Sequence, residues 1–333
     1  MPSQALPLID LLAEERFSAL GPDPLVWHDA ACPRDNRAPG AIHIAIDRLG
    51  TLPRVDHDAF DILLSTAHAP PAPWVGIAPT RINAHLHAME RTVANAPAAA
   101  TMLAQLLRLT GTMSFDGAIE VESLVYSTLL GGGEFARWLA KREPTSQCLT
   151  TVGPLVEYSR DGHAVKLALA APESRNEMSA AMRDSLFDAL VNVIEDPTCP
   201  AVTLTALGRC FSVGGALGEF GTAPDLATAH IVRCRRSNAR LLHRLGPRAT
   251  VLLHGACIGS GIEIAAAAQR RVATQDCWVQ LPELSMGLIP GAGGTVTIPR
   301  AIGRHRACWL MLGGVRLNAS LALEWGLFHE LAP

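Results

Sequence analysis

From Leu155 onward the chain alternates between two hydrophobic periods. Leu155 to Tyr158 and Ala164 to Ala168 are strand-like runs flanking Asp161-Gly162, a strong hairpin signal. Met182, Leu186, Leu190 and Val193 then recur at helical spacing within Ser179 to Ile194. Ala201 to Ala206 reads as the next strand and leads into Phe211-Ser212-Val213-Gly214. Thr250 to Leu253 is another short buried strand. Gly255, Gly259 and Gly261 break the pattern after it, Ser260 can cap the next helix, and Ile262 to Gln269 is Ala-rich and helical. Cys277 to Leu281 is again strand-like, and Pro290 to Thr295 is a Gly-rich loop that opens a helix. This alternation predicts an α/β unit.

The first 150 residues are less regular. Leu6 to Leu20 fits an amphipathic helix, and Ala41 to Ile46, Phe60 to Ser65 and Trp74 to Ile77 are strand candidates. The proline-rich run Ala69 to Pro73 cannot join a central sheet. From Arg81 the pattern becomes helical. Asn95-Ala96-Pro97 starts a helix that continues to Leu109, Ser114 caps one that reaches Leu130, and Glu134 to Lys141 forms a third. Pro144 to Pro154 reads as a linker. The expected division is therefore a mixed, largely helical region over 1–150 and an α/β unit over 151–333.

Composition narrows the function classes. A chain of 333 residues that is 49% hydrophobic and 18% charged can bury a sizeable core. A net charge of −3 gives no electrostatic case for nucleic acid. Arg233, Arg235, Arg236, Arg240 and Arg244 share one helical stretch and read as a solvated face; the sharper alternative is a rim that attracts phosphates. Eight cysteines without a Cys-x-x-Cys pair fit reduced core residues of a cytoplasmic protein. No signal-like core and no run of about 20 apolar residues is present, so no membrane span is expected. His57, His68, His85 and His87 invite a metal reading. His85 and His87 are two apart on a helix and point to different faces, so no metal site is expected.

The chemistry concentrates between His254 and Arg300. Strand, glycine turn and helix start succeed one another there, and the free amides of a helix N-terminus favour an oxygen carrying negative charge. Glu263 falls in the first turn of that helix, and Glu283 comes after the next strand-like run. Two carboxylates beside a developing oxyanion suit acid–base chemistry next to a carbonyl.

Three motifs carry a resemblance. They are Phe211-Ser212-Val213-Gly214-Gly215-Ala216-Leu217, then His254 to Glu263 (HGACIGSGIE), then Gln280-Leu281-Pro282-Glu283 with Gly287 to Thr295 (GLIPGAGGT). In this order, with both glutamates, and with Gly326-Leu327-Phe328 near the end, the chain from about Leu155 resembles the crotonase, or enoyl-CoA hydratase/isomerase, superfamily.

That resemblance implies a ββα superhelix and an enolate-type oxyanion formed from an acyl thioester, with no cofactor beyond the thioester. It implies Glu263 and Glu283 as acid–base groups and the backbone N–H groups of Val213 and Ser260 as the oxyanion hole. Ser174, Arg175, Gly214, Gly259, Gly261, Pro290 and Gly291 match positions that meet the substrate or CoA, and Asn176 belongs to the same segment. It also implies a homo-oligomer, a trimer or hexamer. Three departures stand out. Ala216 replaces a common Asp, Gln269-Arg270 replaces Cys-Asp, and the family's closing C-terminal helices do not come after His329. Asn95 to Arg142 resembles those helices, which suggests a permuted arrangement; residues 1–90 read as the remnant of a second unit or an unrelated cap. The expected activity is hydration or double-bond isomerisation of a 2-enoyl-CoA. The alternatives are a specialised relative acting on an aryl-acyl or carrier-bound thioester, cofactor-free oxygenation included, and a non-catalytic partner subunit.

Overall fold

The computed structural model describes residues 15–32, 38, 40–142 and 153–332. Most of the expected helix over Leu6 to Leu20 and most of the expected linker over Pro144 to Pro154 lie outside these residues.

The region before the linker has two parts. The first is a parallel sheet in sequence order, β1 (Leu25–Asp29), β2 (Ile42–Asp47), β3 (Ile62–Ser65) and β4 (Val75–Gly76). β2 and β3 are buried throughout, which is why they read as continuous apolar runs rather than alternating ones. Four helices come next: α1 (Ile82–Asn95), α2 (Pro97–Thr110), α3 (Phe115–Leu130) and α4 (Gly133–Lys141). Pro97 occupies the first turn of α2, where its missing N–H costs nothing. The Glu134 carboxylate of α4 accepts the amides of Ala98 and Ala99 at 2.8 and 3.0 Å and so caps α2. Ser114 caps α3 through the Gly117 amide.

The second region opens with the hairpin β5 (Val156–Asp161) and β6 (Ala164–Leu169), then α5 (Ala180–Glu195), β7 (Ala201–Ala206), α6 (Leu226–Arg235) and α7 (Asn238–Leu245). It continues through β8 (Ala249–Leu253), β9 (Ala256–Ile258), α8 (Ser260–Ala265), β10 (Arg270–Thr274) and β11 (Trp278–Gln280). α9 (Gly294–Ile302), α10 (Arg304–Gly313), β12 (Leu317–Asn318), α11 (Ala319–Glu324) and β13 (Glu330–Ala332) complete it. One sheet runs β13-β10-β8-β7-β6-β5 and is parallel except for β5 against β6; a smaller one runs β12-β11-β9. This is the α/β alternation expected from the pattern. α8 is shorter than expected, ending at Ala265 rather than Gln269.

One hydrophobic core joins the two regions. Leu86, Leu103 and Ile119 of the first belong to the same buried cluster as Leu190, Leu204 and Leu310 of the second. Polar bonds reinforce the joint. Arg306 of α10 donates to the carbonyls of Trp74 and Pro70, and Arg304 donates to the carbonyl of Phe60. Within the first region, Arg108 of α2 grips Asp61 through two bonds of 2.6 and 2.7 Å beside β3.

Candidate active site

Two parallel neighbours set the site. β9 and β11 pair in register, Ile258 with Gln280, and the Gly259 amide extends the ladder to the Gln280 carbonyl at 3.0 Å. The chain leaving β9 therefore turns beside the chain leaving β11. The first enters α8 through Gly259; the second enters a short 3-10 turn, Glu283–Met286. Gly259 sits at φ 49°, and a Cβ there would lie 2.8 Å from Glu283 Oε1 and 3.9 Å from Glu263 Oε1. Glycine is what lets both carboxylates approach the start of α8.

Glu263 is 2% exposed, and its Oε2 accepts the amides of Ala292 at 2.7 Å and Gly294 at 3.0 Å. A third carboxylate interleaves with it. Glu122 of α3 takes the Gly293 amide at 2.7 Å on Oε1, and the Thr295 amide and hydroxyl at 2.9 and 2.6 Å on Oε2. Successive amides of 292–295 thus alternate between two buried acids. These amides lie at the start of α9, where they have no intrahelical acceptors and favour negative charge.

Burial works the other way. Burial and the neighbouring Glu263 push Glu122 up to about 8, against the pull of its three hydrogen bonds. Burial pushes Glu263 up to about 7, against the amides of Ala292, Gly294 and Gly291. Glu283 has less support: its Oε2 is buried and has no partner among the described residues. Burial and then Glu263 hold its carboxyl well above the usual range. Of the facing pair, Glu263 with its amides is the better seat for a charge, and Glu283 is the better seat for a proton.

A cavity of about 500 Å³ opens onto these groups. Of the expected residues, Val213, Gly214, Gly259, Ser260, Glu263, Glu283 and Gly291 line it. Ser260 is the first residue of α8 rather than its cap. Gly259 takes the cap position, and the Ser260 hydroxyl is buried without a partner among the described residues. Its amide is one of those with no intrahelical acceptor.

The Val213 amide donates to the Arg175 carbonyl at 3.2 Å. It can meet an oxyanion only by giving up that long bond. Ser174, Arg175, Gly261 and Pro290 are not part of the cavity wall. Asn176 is buried: its side chain bonds the Ala171 amide and the carbonyls of Leu207 and Cys210, which fixes the loop that carries Arg175. Among the described residues no group of three or more His, Cys, Asp or Glu side chains is placed to hold a metal ion.

Compared with known proteins, residues 161–333, a little over half of the chain, match the family model described as enoyl-CoA hydratase/isomerase. The chain belongs to the enoyl-CoA hydratase/isomerase family. It is 30% identical over 176 residues to an enoyl-CoA isomerase/hydratase of Mycosarcoma maydis, a match spanning 50% of this chain and 64%, less than two thirds, of that relative. To YngF of Bacillus subtilis, which carries the family's name, it is 32% identical over 52% of this chain and 68% of that one. A solved enoyl-CoA hydratase from Thermoplasma volcanium superposes with a TM-score of 0.50 at 32% identity, covering 54% of this chain and 72% of its own. The crotonase fold is thus that of residues from about 161 onward, and the earlier region lies outside the matched domain.

The earlier region nevertheless builds part of this cavity. Ile119, Glu122, Ser123, Tyr126, Leu130 and Trp138, from α3 and α4, line the cavity. Tyr126 lies flat against Gly291, where a Cβ would meet its ring at 2.4 Å. Sequence reasoning placed Tyr126 and Trp138 on helices expected to complete the acyl pocket, but it did not mark Glu122 as a site residue. Glu122 did carry a signal, being a carboxylate on the apolar, helix-packed face of α3. The arginine stretch also differs from the expected solvated face. α6 packs on α3, so Arg233 and Arg236 both line the cavity; Arg236 also pairs with Asp188, and Arg240 pairs with Asp116 and Glu120. No described helix is long and apolar enough to cross a membrane.

Proposed function

We propose that this protein carries out acid–base chemistry on an acyl-CoA thioester, the hydration of a 2-enoyl-CoA or the isomerisation of its double bond. The thioester oxygen sits at the Ser260 amide, with the Val213 amide as second donor once released from Arg175. In hydration, Glu263 takes a proton from water as its oxygen bonds to C3. The C2–C3 π pair moves toward the thioester oxygen as an enolate. Glu283 then gives its proton to C2, and the pair ends with its proton exchanged. In isomerisation, Glu283 alone removes and returns a proton. No group beyond the thioester is required.

The observation that carries this reading is the Glu283 carboxyl. It is buried, unpartnered on Oε2, raised well above its usual range, and set beside Gly259 at the start of α8. A structural carboxylate this deep would be paired or bonded. A poised, unpaired one suits proton transfer.

The test is incubation with 2-enoyl-, 3-enoyl- and aryl-acetyl-CoA thioesters followed by mass analysis. A gain of one water selects hydration, and a new isomer at unchanged mass selects isomerisation. Oxygen incorporated from O₂ would replace this reading with the oxygenase alternative. Tight CoA binding without turnover of any thioester would replace it with a partner subunit.

A further inference from the structure

Arg233 stands apart from the arginines around it. Arg183 pairs with Asp184, Arg236 with Asp188, and Arg240 with Asp116 and Glu120. No carboxylate among the described residues lies within ion-pair distance of Arg233. Its Nε donates to the Ser123 hydroxyl at 3.2 Å, its Nη2 donates to the Ser127 hydroxyl, and its guanidinium lies over the Tyr126 ring, 4.9 Å from the centroid. These contacts fix the side chain against α3. Among the described residues they leave Nη1 without a partner, in a residue that lines the cavity. The Tyr126 hydroxyl, in the same wall, also has no hydrogen-bond partner among the described residues.

A guanidinium carries five donors in a rigid fork and holds its charge under nearly all conditions. Here it borders a mostly apolar space with donors to spare. The carboxylates of the site do not use them: Glu122 and Glu263 bond the 292–295 loop, and Glu283 packs at Gly259. Held inward against α3, Arg233 is poorly placed for a phosphate in open solvent. A small planar anion inside the cavity matches it better.

We propose that Arg233 selects thioesters whose acyl chain ends in a carboxylate, pairing with that carboxylate while the Tyr126 hydroxyl supplies a further donor. This rests on the reading of the cavity as an acyl-thioester site. The acyl carbonyl lies at Ser260 and the far end of the chain at α6. The preferred substrates are then dicarboxylic acyl thioesters of short length, and the reaction that supplies them must leave one carboxyl free.

Glutaryl-CoA and pentanoyl-CoA differ only in a terminal carboxylate against a methyl group, and neither has a double bond to react. Calorimetric titration of the full chain should show glutaryl-CoA binding about tenfold or more tightly than pentanoyl-CoA. Arg233→Met should abolish that difference while leaving pentanoyl-CoA and free CoA within about threefold of their original affinity. Arg233→Lys keeps the charge without the fork and should retain part of the preference. If the Met variant does not fold, the Lys variant and the unaltered protein decide. Equal affinity for both thioesters in the unaltered protein would overturn the proposal. So would an Arg233→Met loss shared equally by pentanoyl-CoA; an equal loss for free CoA would place a CoA phosphate at Arg233 instead. Failure of the underlying acyl-thioester reading looks different, since then neither thioester binds better than free CoA and both readings fall.

Discussion

Glu122 and Glu263 hold one loop between them, each taking alternate amides of residues 292–295 from opposite sides. One carboxylate comes from α3 in the region before the linker, the other from the family core. The two acids repel each other, burial opposes charging either, and the amides at the start of α9 are what make a charge there tolerable. The position of Glu263 is therefore set by a residue outside the matched family domain.

Glu122→Gln tests that dependence. The amide side chain keeps one acceptor and turns N–H toward a backbone N–H, so one amide of 293 or 295 loses its partner. A stability loss of about 1–3 kcal/mol is expected. Turnover should fall about tenfold as Glu263 loses its fixed seat. Glu122 also helps hold the Glu283 carboxyl high. Its removal should move the alkaline limb of the rate profile to lower pH. A slower variant with an unshifted profile would confine Glu122 to a structural role.

Glu283→Gln and Glu263→Gln should each cut turnover by at least about 100-fold with little loss of stability. Glu283→Gln removes an unpaired buried acid and should leave the melting temperature unchanged or raised. Glu263→Gln keeps the one oxygen that accepts both amides, Oε2, so its stability near neutral pH should change by less than about 1 kcal/mol. Near-normal rates in both variants would sink the acid–base assignment.

The same residues fix the pH dependence. Glu263 titrates at about 7 here against an ordinary value of 4.5, so the folded protein holds a proton that the unfolded chain releases. The stability this contributes is complete below about 4.5 and is lost as pH rises through about 7. The melting temperature of Glu263→Gln, measured against the parent, should therefore climb across that window. Hydration needs Glu263 ionised and Glu283 protonated, which gives a bell whose acid limb lies near 7. A rate that rose steadily below that pH would contradict this division of roles.

Much of this was legible in the residues themselves. The hairpin at Asp161-Gly162, α5 with its Ser179 cap, and β7 over Ala201 to Ala206 result from turn chemistry and period alone. Glu263 was marked by its place after the glycine turn, and Glu283 by its place between a strand-like run and the next Gly-rich loop. Three features were not legible. Ser260 reads as a cap from its type, but the positive φ of Gly259 shifts the helix start by one residue. The bond from Val213 to the Arg175 carbonyl depends on two left-handed residues, Arg175 and Asn176, that no periodicity marks. The roles of Glu122 and Arg233 arise only because α3 packs on α6 and α9, pairings between segments over 100 residues apart in sequence.

Ser260 offers a clean separation of side chain from backbone. Its hydroxyl has no partner among the described residues, so Ser260→Ala should be nearly silent. Proline is well suited to the first position of a helix and would remove only the N–H. Ser260→Pro should therefore fold with a melting temperature close to the parent's while turnover drops at least about 100-fold. A large loss with alanine in a folded protein would instead point to a working hydroxyl.

Removing the region before the linker should destroy the site rather than trim an appendage. A chain beginning at Thr150 would strip the cavity of Glu122, Tyr126 and Trp138 and leave the amides of Gly293 and Thr295 without their acceptor. It would also expose the buried face of α10, with Arg304 and Arg306 losing the carbonyls they hold across β3 and β4. An apolar surface of that kind aggregates or recruits a partner. Such a chain should be insoluble or bind CoA thioesters poorly. Tyr126→Asp should mimic the truncation, because it sets a charge against Gly291 in a space that fits only a ring. Trp138→Asp, at the edge of the same wall beside Phe135 and Phe220, should do so more mildly. If residues 150–333 alone were soluble and turned over the substrate at the parent rate, α3 and α4 would be a separate module and Glu122 would have no part in the chemistry.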